Sequence, residues 1–429
     1  MATMYWQGQA TAVAQVTTVT VGGTLSGETF TISVGGVAIA THTDATTTIA
    51  NTVAGLVAAW NASTHPYATG ITAADDSPDV VLTADTAGIP FVITLNTPGG
   101  SATLGQAATT ANAGPNVWAA ANFWNGTAYA LPANSDTVVI ENNDVDVLWG
   151  LAQSAVTLTE LRIMHSYTGK IGLPDDELTT SATATVTTKP EYRDTSLAIS
   201  ATTLRIGEHY GSGSPAGSGR IKIDTGSNQT TLIVSNSSAS STDGNLEPIR
   251  WKGTHASNAV QLLKGRLGIA TSYAGEAATV SELNVAHRGN VAGDADVNVG
   301  AGVTLTTVNQ SGGDAVVQCA FTTLEQTAGE STTIGAGAVT TANVGGTLYA
   351  RSTGTITTLR VTGKADFSRD PRDRTVTNCE LHKGGSLMLD NGNPISVTLT
   401  NGIDLIRCGL EDVTIKAGSH YTVPALTAV

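Results

Sequence analysis

Between Leu305 and Gly363 one pattern of apolar and polar positions comes round four times. "LTTVNQSGG", "FTTLEQTAG", "VTTANVGG" and "ITTLRVTG" each set a large apolar residue, two threonines, a mostly apolar residue and then a glycine turn. The first threonines, Thr306, Thr322, Thr340 and Thr357, are 16, 18 and 17 residues apart. A fixed period means that each unit buries its apolar face only against its neighbours, as in a solenoid. In the last unit Ile356 and Leu359 are expected to point inward, Thr357 and Thr358 to form a corner or ladder, and Gly363 to make the turn.

From about Asp136 to the end of the chain, short segments alternate inward apolar with outward polar residues at period two: "LTELRI" (158–163), "TTLRIG" (202–207), "SELNVA" (281–286), the four repeats, "TVTNCEL" (375–381) and "IDLIRCGL" (403–410). Second strands lie between them, such as "RIKID", "DAVVQCA" and "TLYARS". Coils of this length without long helices specify a parallel β-helix over 136–429 rather than a sandwich, whose hairpins would place turn signals every 8 to 12 residues or so. Its winding is expected to be right-handed. At roughly 20 residues a coil, about 14 coils stacked at about 4.8 Å make a rod on the order of 70 Å long.

The pattern upstream is different. Residues 13–115 read as a small α+β domain. "VTTVTV", "ETFTISV" and "VAIATHT" alternate as strands joined by glycine turns. A helix then follows in "TTTIANTVAGLVAAWN", capped by Asp44 or a neighbouring threonine, with Ile49, Val53, Leu56, Val57 and Trp60 on one face. "GITAAD", "DVVLTAD" and "PFVITLN" return to strand. Residues 1–12 read as an exposed arm carrying Met4, Tyr5 and Trp6, too short to pack on itself. "SATLGQAATTANAGPN" reads as a linker, and residues 116–135, with Trp118 and Trp124 inside and Trp149 close behind, as the start of an aromatic cap over the open end of the solenoid.

Composition narrows the function. Charged residues are 13% of the chain, about half the usual share of roughly 25%. The 35 acidic residues outnumber the 21 basic ones for a net charge of -14, and no lysine or arginine run tracks a phosphate backbone, which argues against nucleic acid. The start "MATMYWQGQATAVAQ" lacks the plan of a signal peptide, and no apolar run reaches the length of about 18 that spans a membrane. A soluble protein made in the cytoplasm, with no membrane partner, is the expectation.

Candidate chemistry is sparse. His165, His209 and His287 each follow a strand leucine by four or five residues, but 43 and 79 residues separate the segments that carry them. Polar turn residues are the plainer reading. "LPDDELT" (Asp175, Asp176, Glu177) and "ENNDVDV" (Glu141, Asp144, Asp146) would serve a glycosidase only if two carboxylates faced each other across a bond; solvated loops, or a calcium contact, need less. "GEHYGSGSPAGSGR" lacks the lysine and following helix of a phosphate loop. Cys319, Cys379 and Cys408 are an odd number without a C-x-x-C pair and are expected as buried core residues, with "TNCEL" and "IRCGL" equivalent in neighbouring coils. "SRDPRDR" is the one charge-dense patch, read as a salt-bridged loop or, through Arg369 and Arg372, a subunit contact. No catalytic, cofactor-binding or metal-binding residue is assigned.

"TVTVGGTLSGETFTISVGG", "AAWNAS" and "WNGTAYALPANSDTVVIENNDVDVLWGL" followed by "SYTGKIGLP" resemble structural proteins of tailed-bacteriophage virions, and Pro132, Asp136, Thr137, Val138 and Ile140 resemble the first coil of bacterial and phage β-helices. The resemblance implies a homotrimer, either a capsid-decorating (cement) protein or a tail spike or fibre. The expectation is a non-enzymatic virion protein. Its N-terminal region would anchor on the major capsid protein or other virion proteins, and its β-helix would project. A spike adhesin recognising host glycans is the alternative, and a polysaccharide lyase or glycosidase ranks behind both. The interface candidates are Met4, Tyr5, Trp6, Trp118, Trp124, Trp149, Arg369 and Arg372.

Overall fold

The computed structural model describes residues 2–23, 27–45, 48–96, 102–172, 196–208, 221–237, 247–271, 275–285, 295–389, 397–416 and 426–428. It is 54% strand and 5% helix, dominated by one long system of parallel strands.

The expected coil registers are present. Val308 pairs with Leu324, Leu324 with Ala342 and Ala342 with Leu359, at the 16, 18 and 17 residue steps of the threonine repeats. Ladders of this kind run the length of the solenoid and form a first sheet fourteen strands deep among the described residues, from Thr3–Trp6 through Thr137–Ile140 to Ile403–Ile406 and Leu426–Ala428. A second sheet of shorter strands stacks beside it, from Ile221–Asp224 to Thr414–Lys416. From Thr231–Val234 onward each strand pairs with the strand one coil away rather than with its neighbour in sequence, so the strands form a winding and not a barrel of adjacent hairpins.

The inward column Leu161, Leu204, Leu232, Val260, Leu283, Val308, Leu324, Ala342, Leu359 and Cys379 is at most 2% exposed. Period-two alternation produces this column, because stacking in register brings every second side chain to the same depth. The threonine pairs are corners. Ile356 and Leu359 are both buried while Thr357 and Thr358 both face out, so two outward residues in succession turn the strand. Turn glycines then let the coils close up. A Cβ on Gly329, Gly346 or Gly363 would come within 3.0 Å of a backbone carbonyl oxygen one coil below. Gly346→Ala is therefore expected to cost about 1–3 kcal/mol, read as a lower denaturation midpoint; an unchanged midpoint would show that the turns are not closely stacked.

One column breaks the apolar rule. Gln310 and Gln326 take the inward position that Val285 holds below and Val344 above. Both are buried, and their amide nitrogens bond to each other's column and to the turns: Gln326 Nε2 donates to Gln310 Oε1 at 3.0 Å, and Gln310 Nε2 donates to the carbonyls of Gly313 at 2.8 Å and Glu330 at 2.9 Å, while Gln326 Oε1 accepts from no group among the described residues.

The N-terminal region is arranged differently from the expectation of an arm, then a domain, then a rod. Thr3–Trp6 is no free arm: it pairs in parallel with Thr137–Val139, and Met4 and Trp6 are buried in the solenoid core. A strand of four residues with two large inward side chains finds its partner on the rod itself. The α+β unit is thus an insertion in the first coil, with a core of its own and a neck where Val13 bridges Ala113. Helix α1 (Ile49–Ala62) buries Val53, Leu56 and Trp60. Thr48, one of the threonines expected beside Asp44, stands at its N-cap position, and Asp44 accepts a hydrogen bond from the Thr52 hydroxyl at 2.5 Å. The unit holds two sheets rather than one. The first comprises Ile71–Asp76, Asp79–Ala84, Val16–Gly22 and Thr103–Thr110 in that order; the second is Val37–Thr43, Thr29–Val34 and Thr94–Asn96. Thr103–Thr110 lies in the expected linker. It is strand because Val16–Gly22 offers it an open edge.

Candidate functional site

The proposed interface residues fall into separate places. Met4, Trp6 and Trp118 are 2%, 1% and 1% exposed and belong to the core, so they cannot form an interface. Trp6 meets Tyr167 edge-on at 6.3 Å and Trp118 meets Phe123 edge-on at 4.7 Å. Tyr5 and Trp149 are half-buried; the Trp149 carbonyl accepts the Trp118 N–H at 2.9 Å. Trp6, Trp118, Phe123 and Tyr167 belong to the core cluster of the solenoid. Of the aromatic candidates only Trp124 is exposed. With Tyr129 and Leu131 it makes an exposed apolar patch on the hairpin Phe123–Trp124/Tyr129–Ala130, which pairs antiparallel to Thr3–Trp6 at Tyr5 and Trp6 and ends the parallel stack.

"SRDPRDR" closes on itself. Asp370 accepts from Arg372 Nε at 2.9 Å and Nη2 at 2.7 Å and lies 3.0 Å from Arg374 Nη2. These guanidinium hydrogen bonds, those of Arg372 foremost, hold its carboxyl well below the usual range. Arg369 lies over the Tyr349 ring at 3.7 Å. The loop is salt-bridged through Asp370, while Arg369, Arg372 and Asp373 are exposed at the surface.

Of the histidines, His165 Nδ1 lies 3.3 Å from the Glu208 carbonyl; His209 and His287 lie outside the described residues, as do Asp175, Asp176, Glu177 and most of the glycine-rich loop. Glu141 and Asp144 line an open pocket of about 420 Å³ beside Tyr5 and Gln7, while Asp146 accepts the Lys170 N–H at 2.7 Å. Cys319 and Cys379 are buried, and desolvation pushes their thiols up to about 11 and about 12. Cys408 is not the counterpart of Cys379. The ladder pairs Cys379 with Ile403, which puts Cys408 beyond the strand and only half-buried. Among the described residues no three His, Cys, Asp or Glu side chains group to hold a metal.

Comparison with known protein families, with curated proteins and with solved structures finds no match. What the surface can do must therefore be read from its own columns.

Two outward columns were missed in the sequence. On the first sheet Gln261, Asn284, Asn309 and Glu325 stand on successive coils and line a groove of about 370 Å³. Asn309 Nδ2 donates to Glu282 Oε1 at 2.9 Å and to Asn284 Oδ1 at 3.0 Å. On the second sheet Asp296, Asp314 and Glu330 stack in register. Burial, then Asp296 and Glu330, raise the Asp314 carboxyl above its usual value. The column is buttressed at its ends, by Arg266 at 2.9 Å from Asp296 and by the Tyr349 hydroxyl, which donates to Glu330 at 3.2 Å. Asp314 and Glu330 open second-sheet strands ("DAVV", "ESTT") and Asp296 is the second residue of its own ("ADVNV"), so the coil period carried the signal. Further along, Arg162 pairs with Glu208 at 2.7 Å and Arg360 with Glu380 at 2.8 Å. The rod's charges are largely satisfied by its own neighbouring coils.

Proposed function

We propose that this chain is a non-enzymatic structural protein of a tailed-phage virion, a capsid-decorating protein that anchors by its N-terminal region and projects a right-handed single-chain β-helix. The observation that supports it best is the distribution of exposed large apolar residues. Val13, Val37, Ile89, Val92, Trp124, Tyr129 and Leu131 all lie between residues 13 and 131, and among the described residues only Leu410 lies elsewhere. Surface of that kind marks a contact, and here it collects in the inserted unit and the hairpin at the first coil. The partners are the major capsid protein or other virion proteins and, as the resemblance implies, two further copies in a homotrimer. The expected anchor joined the arm to the apolar positions of the small domain; with Trp6 and Met4 buried, the anchor rests on these exposed residues.

Val92→Asp and Trp124→Asp replace side chains 50% and 41% exposed, so the fold should be kept. Binding to purified shells is expected to fall at least tenfold, the price of about 1.4 kcal/mol. Unchanged occupancy for both variants would remove the anchoring claim. The groove along Gln261, Asn284, Asn309 and Glu325 favours a second reading, an adhesin whose amides would meet the hydroxyls of a host glycan; binding on a glycan array that is lost in Asn284→Ala would establish it.

A further inference from the structure

The two edges of the four-stranded sheet in the inserted unit are protected unequally. Ile71–Asp76 forms one edge and ends in exposed Asp75 and Asp76. Charges of this kind are a common device that keeps a free edge from pairing with another chain. Thr103–Thr110, "TLGQAATT", forms the other, with no charge and no proline. Its eight residues are all exposed or half-exposed, and it pairs only with Val16–Gly22. A register shift where Thr110 meets Val16 and Ala108 meets Thr17 makes Thr109 a bulge. Thr103–Ala108 remains regular, with one row of backbone donors and acceptors turned to no partner strand among the described residues.

We propose that this edge pairs with the same edge of a second copy, antiparallel about a two-fold axis near Gln106, so that two sheets become one. Three observations favour a second copy over a foreign strand. A chain of net charge -14 repels its own copies wherever its surface is charged, and this edge is neutral. Strand addition takes its affinity from the backbone and its choice of partner from side-chain pockets; apart from Leu104, which packs on the unit's core, residues 103–109 are exposed and offer little to select a foreign sequence. Self-pairing about Gln106 sets amide against amide, Gly105 against Ala107 and Leu104 against Ala108, with no like charges opposed. Such a contact is isologous and closes on itself. It is distinct from any packing of the rods in a trimer, and joins one assembly to the next.

The test is the mass of the free full-length protein by sedimentation across a concentration series, for the natural chain, Ala107→Lys and Ala107→Thr. Ala107 is exposed and opposite Thr18, so neither change should disturb the unit, which circular dichroism can verify. The natural chain and the threonine variant are expected to approach twice the mass of the lysine variant as concentration rises. Equal masses for the natural chain and the lysine variant at every concentration would overturn the proposal. So would equal masses together with loss of shell binding in the lysine variant, which would assign the edge to a foreign strand.

Discussion

Trp6→Ala is expected to lower the stability of the rod by about 3–5 kcal/mol, the cost of emptying a large buried site that cannot collapse. Trp6 is 1% exposed, lies in the first coil and packs edge-on against Tyr167. Its indole Nε1 has no hydrogen-bond partner among the described residues, so the loss is one of packing, and Trp6→Phe should recover much of it. A residue serving a contact with another protein would behave in the opposite way, weakening binding and leaving stability intact. Because a solenoid is a near one-dimensional stack, the damage should be local. Hydrogen exchange should accelerate first in Thr137–Ile140 and then in Leu161–Met164, with Val339–Val361 little changed. Uniform exchange along the rod, or an unaltered denaturation midpoint, would refute this account of the end coil.

Asp370→Asn is expected to cost a similar amount, about 3–5 kcal/mol, because it strands a buried cation. The Arg374 side chain is 2% exposed; its Nη1 donates to the Phe367 carbonyl at 2.8 Å, and Asp370 is its only charged partner among the described residues. Removing the cation as well, in Asp370→Asn with Arg374→Met, should restore part of the loss. The pH dependence carries a sign that can be checked. The Asp370 carboxyl is held below its usual value by Arg372 and Arg374, so its contribution is fully present above the unfolded value of about 3.9 and fades as pH falls through the lower folded value. Denaturation midpoints should show an acid limb below about pH 4 in the natural chain, and a weaker one in the Asn variant. Identical limbs would mean that the clamp contributes nothing to acid stability.

The coil was legible because its signal is local and repeated. Four threonine corners at nearly constant spacing, with the glycine that follows, fixed the register from residues 305–363, and the helix was legible through Val53, Leu56 and Trp60. What stayed hidden depends on partners distant in sequence. Nothing within Thr3–Trp6 announces that its partner starts at Thr137. "TLGQAATT" has the composition of a linker and becomes strand only through the free edge of Val16–Gly22. Gln310 and Gln326 look outward-facing by residue type, yet the turn carbonyls above and below give their amides a reason to be inside. Cys408 was matched to Cys379 by its neighbours' likeness, whereas alignment is decided by the inward set Cys379/Ile403 and Leu381/Leu405. Of the candidate site, Trp124 was visible; the amide groove and the carboxylate column required the coils to be superimposed first.

The insertion in the first coil has a kinetic consequence. The Ala2 N–H donates to Asp136 at 2.6 Å across a sequence separation of 134, while most rungs further along join residues a single coil apart. Closing so long a loop is slow, although its entropic cost grows only gently with length. The rod can therefore wind from its middle on local contacts, and the inserted unit can fold on its own core, before Thr3–Trp6 docks. Thr3–Trp6, which precedes the rod in the chain, would be placed after it. A pulse-labelling experiment should find the amides of Met4 to Trp6 gaining protection after those of Leu324 to Val344.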